Sequence, residues 1–283
     1  MDETQQGTGG SALKAMISFF TIWQQDITKE DMDAMEKDFH LAPIVGLFFG
    51  LILVVLMTVM TILNVKCGFG SGMIYAAMCL AAVWIGSKFI HFDGLTDFGD
   101  GMIVSGTQED HVRALKDTLV GAGGIGVAVA VVLLSFSMYS FASFRLLIFA
   151  PLAEILVKNA MVVAAAYGKP GNGMAGKQVA MTTTDSVLKS TVISAIFGVV
   201  LSVGLVAFFG MLYDSLDVGL ETNLAAVIVA FIVGLLISIV AGFLMARKAN
   251  DTFGMVNGDI LGATNEISRP LIMMIMMVVF VAW

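Results

Sequence analysis

Long apolar runs free of charge alternate along the chain with short polar interruptions. Such runs occupy 41–65, 67–87, 118–144, 190–213 and 222–246. Each is long enough to cross a hydrocarbon core as helix, which takes roughly 20 residues, and a helix bonds its own backbone groups where lipid cannot. A sixth apolar stretch, 146–167, carries Glu154 and Lys158, and a shorter seventh follows Pro270 to Trp283. The pattern predicts an all-α, polytopic membrane bundle of about seven transmembrane helices. Ahead of it, Met16, Phe19, Phe20 and Trp23 recur at helical spacing before an acidic stretch from Asp26 to Asp38, which predicts an N-terminal interfacial helix. The economical division is an N-terminal cytoplasmic or interfacial segment, 1–40, and a single membrane-embedded domain, 41–283. The first forty residues lack the basic, apolar and small-residue succession of a cleaved signal peptide, so none is expected.

Composition removes a soluble alternative. Of the 283 residues, 58% are hydrophobic and 13% charged, against about one quarter charged in an ordinary globular protein; mean hydropathy is +0.92. A net charge of -7 excludes nucleic acid as the partner, because phosphate binding needs clustered cations. Cys67 and Cys79 lie in or beside apolar sequence and suggest neither a disulfide framework nor a zinc site. The three longer polar loops, 91–117, 168–189 and 247–269, follow the second, fourth and sixth spans and therefore share one side. On the other side stand only Lys66 and Arg145 of the fifteen Lys and Arg. The positive-inside rule assigns the N-terminus and the loops to the cytoplasm, in a multi-pass protein of the cell membrane.

Polar residues against a membrane boundary are costly, so their clusters are candidates for chemistry. The densest runs from His91 to Gly101, where Asp93, Asp97 and Asp100 are spaced four and three apart. If the second helix continues through this motif, the three carboxylates project from one face. They repel one another there, and a divalent cation would reverse the sign; hard oxygen ligands select magnesium, calcium or manganese. The alternative is an acidic, glycine-broken loop of no catalytic use. A second cluster, 250–266, holds three glycines and three acids, with Asp259 and Glu266 seven apart on one helix face. A third, Tyr167 to Met174 followed by Lys177, is a flexible basic stretch able to meet phosphate oxygens. Arg113 and Lys116 form an edge facing phosphates or lipid headgroups. Glu154 and Lys158, four apart, could neutralise each other, either holding helices together or serving substrate. His40 and His111 are assigned nothing, and the 20 methionines pack the spans rather than bind copper.

His91-Phe92-Asp93-Gly94-Leu95-Thr96-Asp97 with Asp100-Gly101 resembles the H-x-D-G-L-x-D-x-x-D-G signature of the cobalamin synthase family, the adenosylcobinamide-GDP ribazoletransferases. Lys116-Asp117-Thr118 with Gly121 and Gly124 resembles that family's K/R-D-S-x-x-G-x-x-G stretch. Tyr167 to Gly173 resembles its Y-x-R-P-x-G-x-G loop, and Gly258-Asp259 with Gly262-Ala263 and Glu266 its T-G-D-x-x-G-A-x-x-E close. Order and spacing agree over roughly 40–280. Departures are Thr21 to Gln24 in place of an R-x-P-x-P stretch, Lys169 for the loop arginine, Asn257 for a threonine, and Arg269 for a second glutamate. The resemblance implies a membrane transferase of cobalamin (vitamin B12) assembly that joins α-ribazole or its 5′-phosphate to adenosylcobinamide-GDP and releases GMP, using magnesium. It further implies Asp93, Asp97 and Asp100 as metal ligands. Asp259 and Glu266 would complete a second metal position or act as base, and His91 would be an alternative base or a hydrogen-bond partner of the carboxylates. Lys116, Arg113, Lys169 and Lys177 would meet the phosphates. A homo-oligomer stays open.

Two rival readings remain. A cation-coupled transporter would line a midplane pathway with Glu154 and Lys158, but the carboxylates gather at one membrane face and no inverted second half appears. A scaffold for a cytoplasmic complex has no need of three carboxylates on one stripe.

Overall fold

In the computed structural model, residues 10–141, 147–218 and 222–283 are described. The apolar runs fold into α3 (Ala42–Cys67), α4 (Gly72–Gly86), α7 (Ala122–Phe141), α8 (Phe149–Tyr167), α10 (Thr184–Ser215), α11 (Leu224–Phe253) and α12 (Gly258–Ala282). Between them lie the shorter polar helices α5 (Ile90–Ile103), α6 (Gln108–Leu115) and α9 (Gly173–Met181). Among the described residues, six helices are long and apolar enough to cross a membrane, and α4 with α5 makes a seventh if that bent pair is one span. The all-α membrane bundle expected from the sequence is the architecture found.

Local sequence sets the helix ends. Pro43 stands in the first turn of α3, where its missing N–H would be unbonded anyway. Gly68 and Gly254 end α3 and α11 in the left-handed conformation, at φ 65° and 69°, where glycine carries no steric penalty. Asn257 starts α12 by accepting the N–H of Ile260 at 3.1 Å, as a helix cap does.

The bundle is built around α8, whose side chains from Phe149 to Ala165 are all buried. Gly46 and Gly50 of α3 and Gly242 of α11 permit this enclosure, since a Cβ at each would overlap the carbonyl oxygens of Glu154, Pro151 and Ala160. Small residues at such crossings let membrane helices approach closely. The outer helices turn apolar side chains outward, among them Val55 and Val59 of α3, Val200 of α10 and Leu236 and Val240 of α11. These form the surface that lipid would cover.

Two expectations need correction. The second apolar helix does not continue through the acidic motif. Lys88 and Phe89, at φ 55° and 56°, turn the chain by 93°, so the motif occupies a helix of its own, α5. The break is held from outside: Gly86 O accepts the N–H of Ile22 at 2.8 Å, and Lys88 Nζ donates to Ser18 O at 3.1 Å. The seventh span is also not short, because α12 starts at Gly258 and runs through Pro270 for 25 residues. The expected corner at 139–145, with Arg145, and the connection at 214–221 lie partly outside the described residues.

The N-terminal helix is present as α1 (Ala12–Phe20), packed on α2 (Lys29–Lys37). Asp31 joins them, accepting the N–H of Ser11 at 2.6 Å and Lys14 Nζ at 3.1 Å. Backbone hydrogen bonds from Thr28 and Ser11, then Lys14, hold its carboxyl well below the usual aspartate range, because each favours the charged form. Because the long helices alternate in direction, α1, α2, α5, α6 and α9 collect at one end of the bundle, and the candidate chemistry collects with them.

Candidate active site

The glycines of the acidic motif are explained by what α5 touches. Gly94 packs against the backbone of Asp259, Gly99 against Gly124 and Val127, and Gly101 against Phe253 and Leu115. With no side chain at these points, α5 presses onto α12, α7, α6 and the end of α11, and the spacing of Asp93, Asp97 and Asp100 puts the carboxylates on a common face.

Partial burial makes the charge of Asp97 costly, and Asp259, Asp93 and Asp100 are each near enough to add repulsion. Lys116, just after α6, offsets some of this by attracting Asp259. Asp259 is oriented by Asn257, whose Nδ2 donates to its Oδ2 at 2.7 Å. Asp100 also does structural work, since its two oxygens accept the N–H groups of Gly121 at 2.6 Å and Gly124 at 2.7 Å. It thereby caps α7, whose free N–H groups favour an anion. A Cβ at Gly121 or Gly124 would come within 2.6 Å of that carboxylate, which explains the glycine spacing after Lys116.

Among the described residues, no group of three or more His, Cys, Asp or Glu side chains is arranged to hold a metal ion by itself. The donor set suits another mode. Magnesium takes hard oxygens, usually one or two carboxylates with waters and substrate phosphates, rather than an all-protein cage. A rim of mutually repelling aspartates fits that mode.

His91 and Glu266 face inward. His91 is buried, with Nε2 at 2.6 Å from Lys158 Nζ and its ring 5.6 Å from that of Phe20. Lys158 also donates to Asn265 Oδ1 at 2.8 Å. Glu266 is enclosed, accepting from Trp84 Nε1 and Asn265 Nδ2, both at 2.9 Å, and from Arg269. Arg269 also bonds Glu154 through Nε at 2.8 Å. Glu154 is therefore paired with Arg269 across the bundle, not with Lys158 one turn away.

Among the cations, Arg113 is exposed and bonded to Asp110 at 2.6 Å. Lys169 and Lys177 are exposed on the same end of the bundle. The Lys169 backbone is fixed, its N–H donating to Asn250 Oδ1 at 2.8 Å and its carbonyl accepting from Val256 at 2.6 Å. The two glycine-rich segments, 167–173 and 250–258, are thus stitched together. The structure gathers Asp93, Asp97, Asp100, Asp259 and Lys116, while Glu266 lies deeper, in a closed ion cluster.

Beside the aspartates is a cavity of about 210 Å³. Phe19 and Phe20 of α1, Met161 of α8 and Met174 of α9 form its apolar walls, and Asp93 and Asp259 stand on its polar side with His91. Sequence reasoning missed Gln178 of α9, which also lines it; the only signal for this wall was the apolar spacing of α1. A larger cleft, about 500 Å³, lies at the C-terminal end of α12 and is lined by apolar side chains alone.

Residues 12–278 match the cobalamin-5-phosphate synthase family. The chain is 30% identical over 263 residues to an adenosylcobinamide-GDP ribazoletransferase of Methanocella arvoryzae, an alignment covering 92% of each protein. It is 29% identical over 274 residues to the protein of that name from Methanosarcina mazei, covering 91% of this chain and 88% of that one. A Clostridium perfringens protein of the same name is 24% identical over 265 residues, covering 89% of this chain and 91% of that one. No solved structure is significantly similar.

Proposed function

The chain belongs to the cobalamin-5-phosphate synthase family, and from that premise we propose that it is a magnesium-dependent adenosylcobinamide-GDP ribazoletransferase. The reaction joins α-ribazole, or its 5′-phosphate, to the cobinamide-linked phosphorus and releases GMP. One oxygen–phosphorus bond forms as the bridging bond of the diphosphate breaks. The observation that carries this reading is the rim of four aspartates opening beside a cavity at the polar end of the bundle.

Phosphoryl transfer is catalysed chiefly by positioning and by neutralising charge. Asp93, Asp97 and Asp100 would hold magnesium, which supplies positive charge to the diphosphate oxygens when bound. Asp259, oriented by Asn257, would accept the proton of the attacking ribose hydroxyl, which is not the 5′ one because that oxygen is already esterified in the phosphorylated acceptor. Lys116, which attracts Asp259, would meet a phosphate, and the exposed Lys169 and Lys177 would meet others. Glu266 and His91 act through their neighbours, fixing α12, Trp84 and Lys158. The site faces the cytoplasm, where the positive-inside asymmetry puts the polar loops.

The test is GMP release by the purified protein, given adenosylcobinamide-GDP and α-ribazole, with and without magnesium. Magnesium-dependent GMP accompanied by cobalamin is expected, and Asp93→Asn, at an exposed position, should lower the rate at least about a hundredfold without loss of folded protein. Folded wild-type protein inert with both the free and the phosphorylated acceptor would overturn the reading.

A further inference from the structure

The cavity holds one polar group with nothing to bond. Gln178 is 5% exposed, lines the cavity, and its side-chain Nε2 has no hydrogen-bond partner among the described residues. A buried amide left unpaired costs stability, and such groups call for an explanation. Position accounts for this one. On α9, Met174 and Gln178 both line the cavity, and a spacing of four residues puts them on one helix face. Gly176 lets the turn before α9 fold back onto the helix, since a Cβ there would overlap the carbonyl of Gly171.

Resting on the reaction proposed above, we propose that this cavity is the acceptor pocket: its apolar part seats the aromatic base of α-ribazole, and the Gln178 amide hydrogen-bonds that base. Phe19, Phe20, Met161 and Met174 supply flat and polarisable walls, which suit an aromatic ring system through stacking and sulfur contacts. The volume is too small for a corrin macrocycle. Guanine fits poorly for a different reason. It brings several donors and acceptors that each need a partner once buried, whereas the apolar part of the cavity offers one amide. The base of α-ribazole is mostly hydrocarbon and presents a single ring-nitrogen acceptor, which matches one spare donor. With the base so placed, the sugar points to the polar side, where Asp93 and Asp259 stand.

Two measurements on the full-length protein in detergent test this. The first is calorimetric titration with α-ribazole alone, without the GDP substrate. The second is steady-state GMP release with each substrate varied. Gln178→Leu should weaken α-ribazole binding, and raise the KM for it, about tenfold, with kcat and the KM for adenosylcobinamide-GDP little changed. Phe19→Ala should act in the same direction. The Leu side chain removes no hydrogen bond made by that amide nitrogen within the protein, so folding should survive; if it does not, Gln178→Glu, near in shape but without the donor, takes its place in both assays. A rise in the donor KM alone, or no change in either, overturns the pocket while leaving the reaction in place. Wild-type protein that binds α-ribazole, with binding weakened by Gln178→Leu, yet releases no GMP supports the pocket and sinks the reaction. Wild-type protein that gives no titration signal overturns the pocket whatever its turnover.

Discussion

Arg269 carries a charge that the interior of a membrane protein tolerates only with partners at hand, and it has two, Glu154 and Glu266, with every group closed off from solvent. Buried ion pairs add little over a well-packed apolar core, but breaking one from a single side is costly because the remaining charge stays buried. Arg269→Met should therefore destabilise the protein by roughly 3–5 kcal/mol, read as a large fall in thermal midpoint in detergent. Adding Glu154→Leu and Glu266→Leu should recover much of the loss. A single variant as stable as the wild type would mean the cluster is not closed as described. The same reasoning separates residues that look alike in sequence. Asp259 and Glu266 share a helix face seven apart, yet Asp259 lines the cavity and Glu266 lies in the ion cluster.

At the level of the helix, the acidic motif is a carboxylate stripe with glycines on both sides of it, Gly94 and Gly101 toward one and Gly99 toward the other, so that α5 can sit tightly on its neighbours. Asp100 has two roles, capping α7 while facing the other aspartates. Gly124→Ala would drive a methyl against that carboxylate and against Thr96 O. We expect about 1 kcal/mol or more of lost stability from the cap and at least about a tenfold fall in GMP release as α5 shifts. Gly126→Ala, two residues on, where a Cβ meets nothing within 4 Å, should be silent in both assays; equal effects at the two positions would defeat the explanation. The spans were legible because absence of charge over twenty residues has few other causes. The break before α5 was not, since Lys88 and Phe89, neither Gly nor Pro, take a left-handed turn under a contact from α1. Pro270 reads as a helix start, yet α12 passes through it. Periodicity also sees only local pairs, so it joins Lys158 to Glu154 and misses Arg269, 115 residues away. Asp93, Asp97 and Asp100 could be picked out because repulsion on one face is visible in spacing alone; Asp259, on another helix, was marked only by its place in the second acidic cluster, and Gln178 carries no mark at all.

Across the whole molecule, the polar helices gather at one end, and the exposed Cys67 lies at the other, closing α3. A membrane-impermeant maleimide should label Cys67 in right-side-out vesicles and not in inverted ones, with Cys79 silent in both because it is buried. The reverse pattern would place the aspartates outside the cell and contradict the orientation proposed. The enclosure of α8 has a consequence for how the protein is made. It is the least hydrophobic of the six long candidates, and a charge at the centre of an inserting helix costs about 2.5–3.5 kcal/mol on insertion scales. The partners that bond Glu154 and Lys158 from α12, Arg269 and Asn265, are synthesised more than a hundred residues later. The helix at the heart of the bundle thus enters the bilayer before its α12 partners exist, and a ribosome that stalls short of α12 leaves a membrane intermediate in which Glu154 has Tyr139 and Lys158 has His91 but neither has its partner from the last helix, a half-satisfied pair for quality control to find.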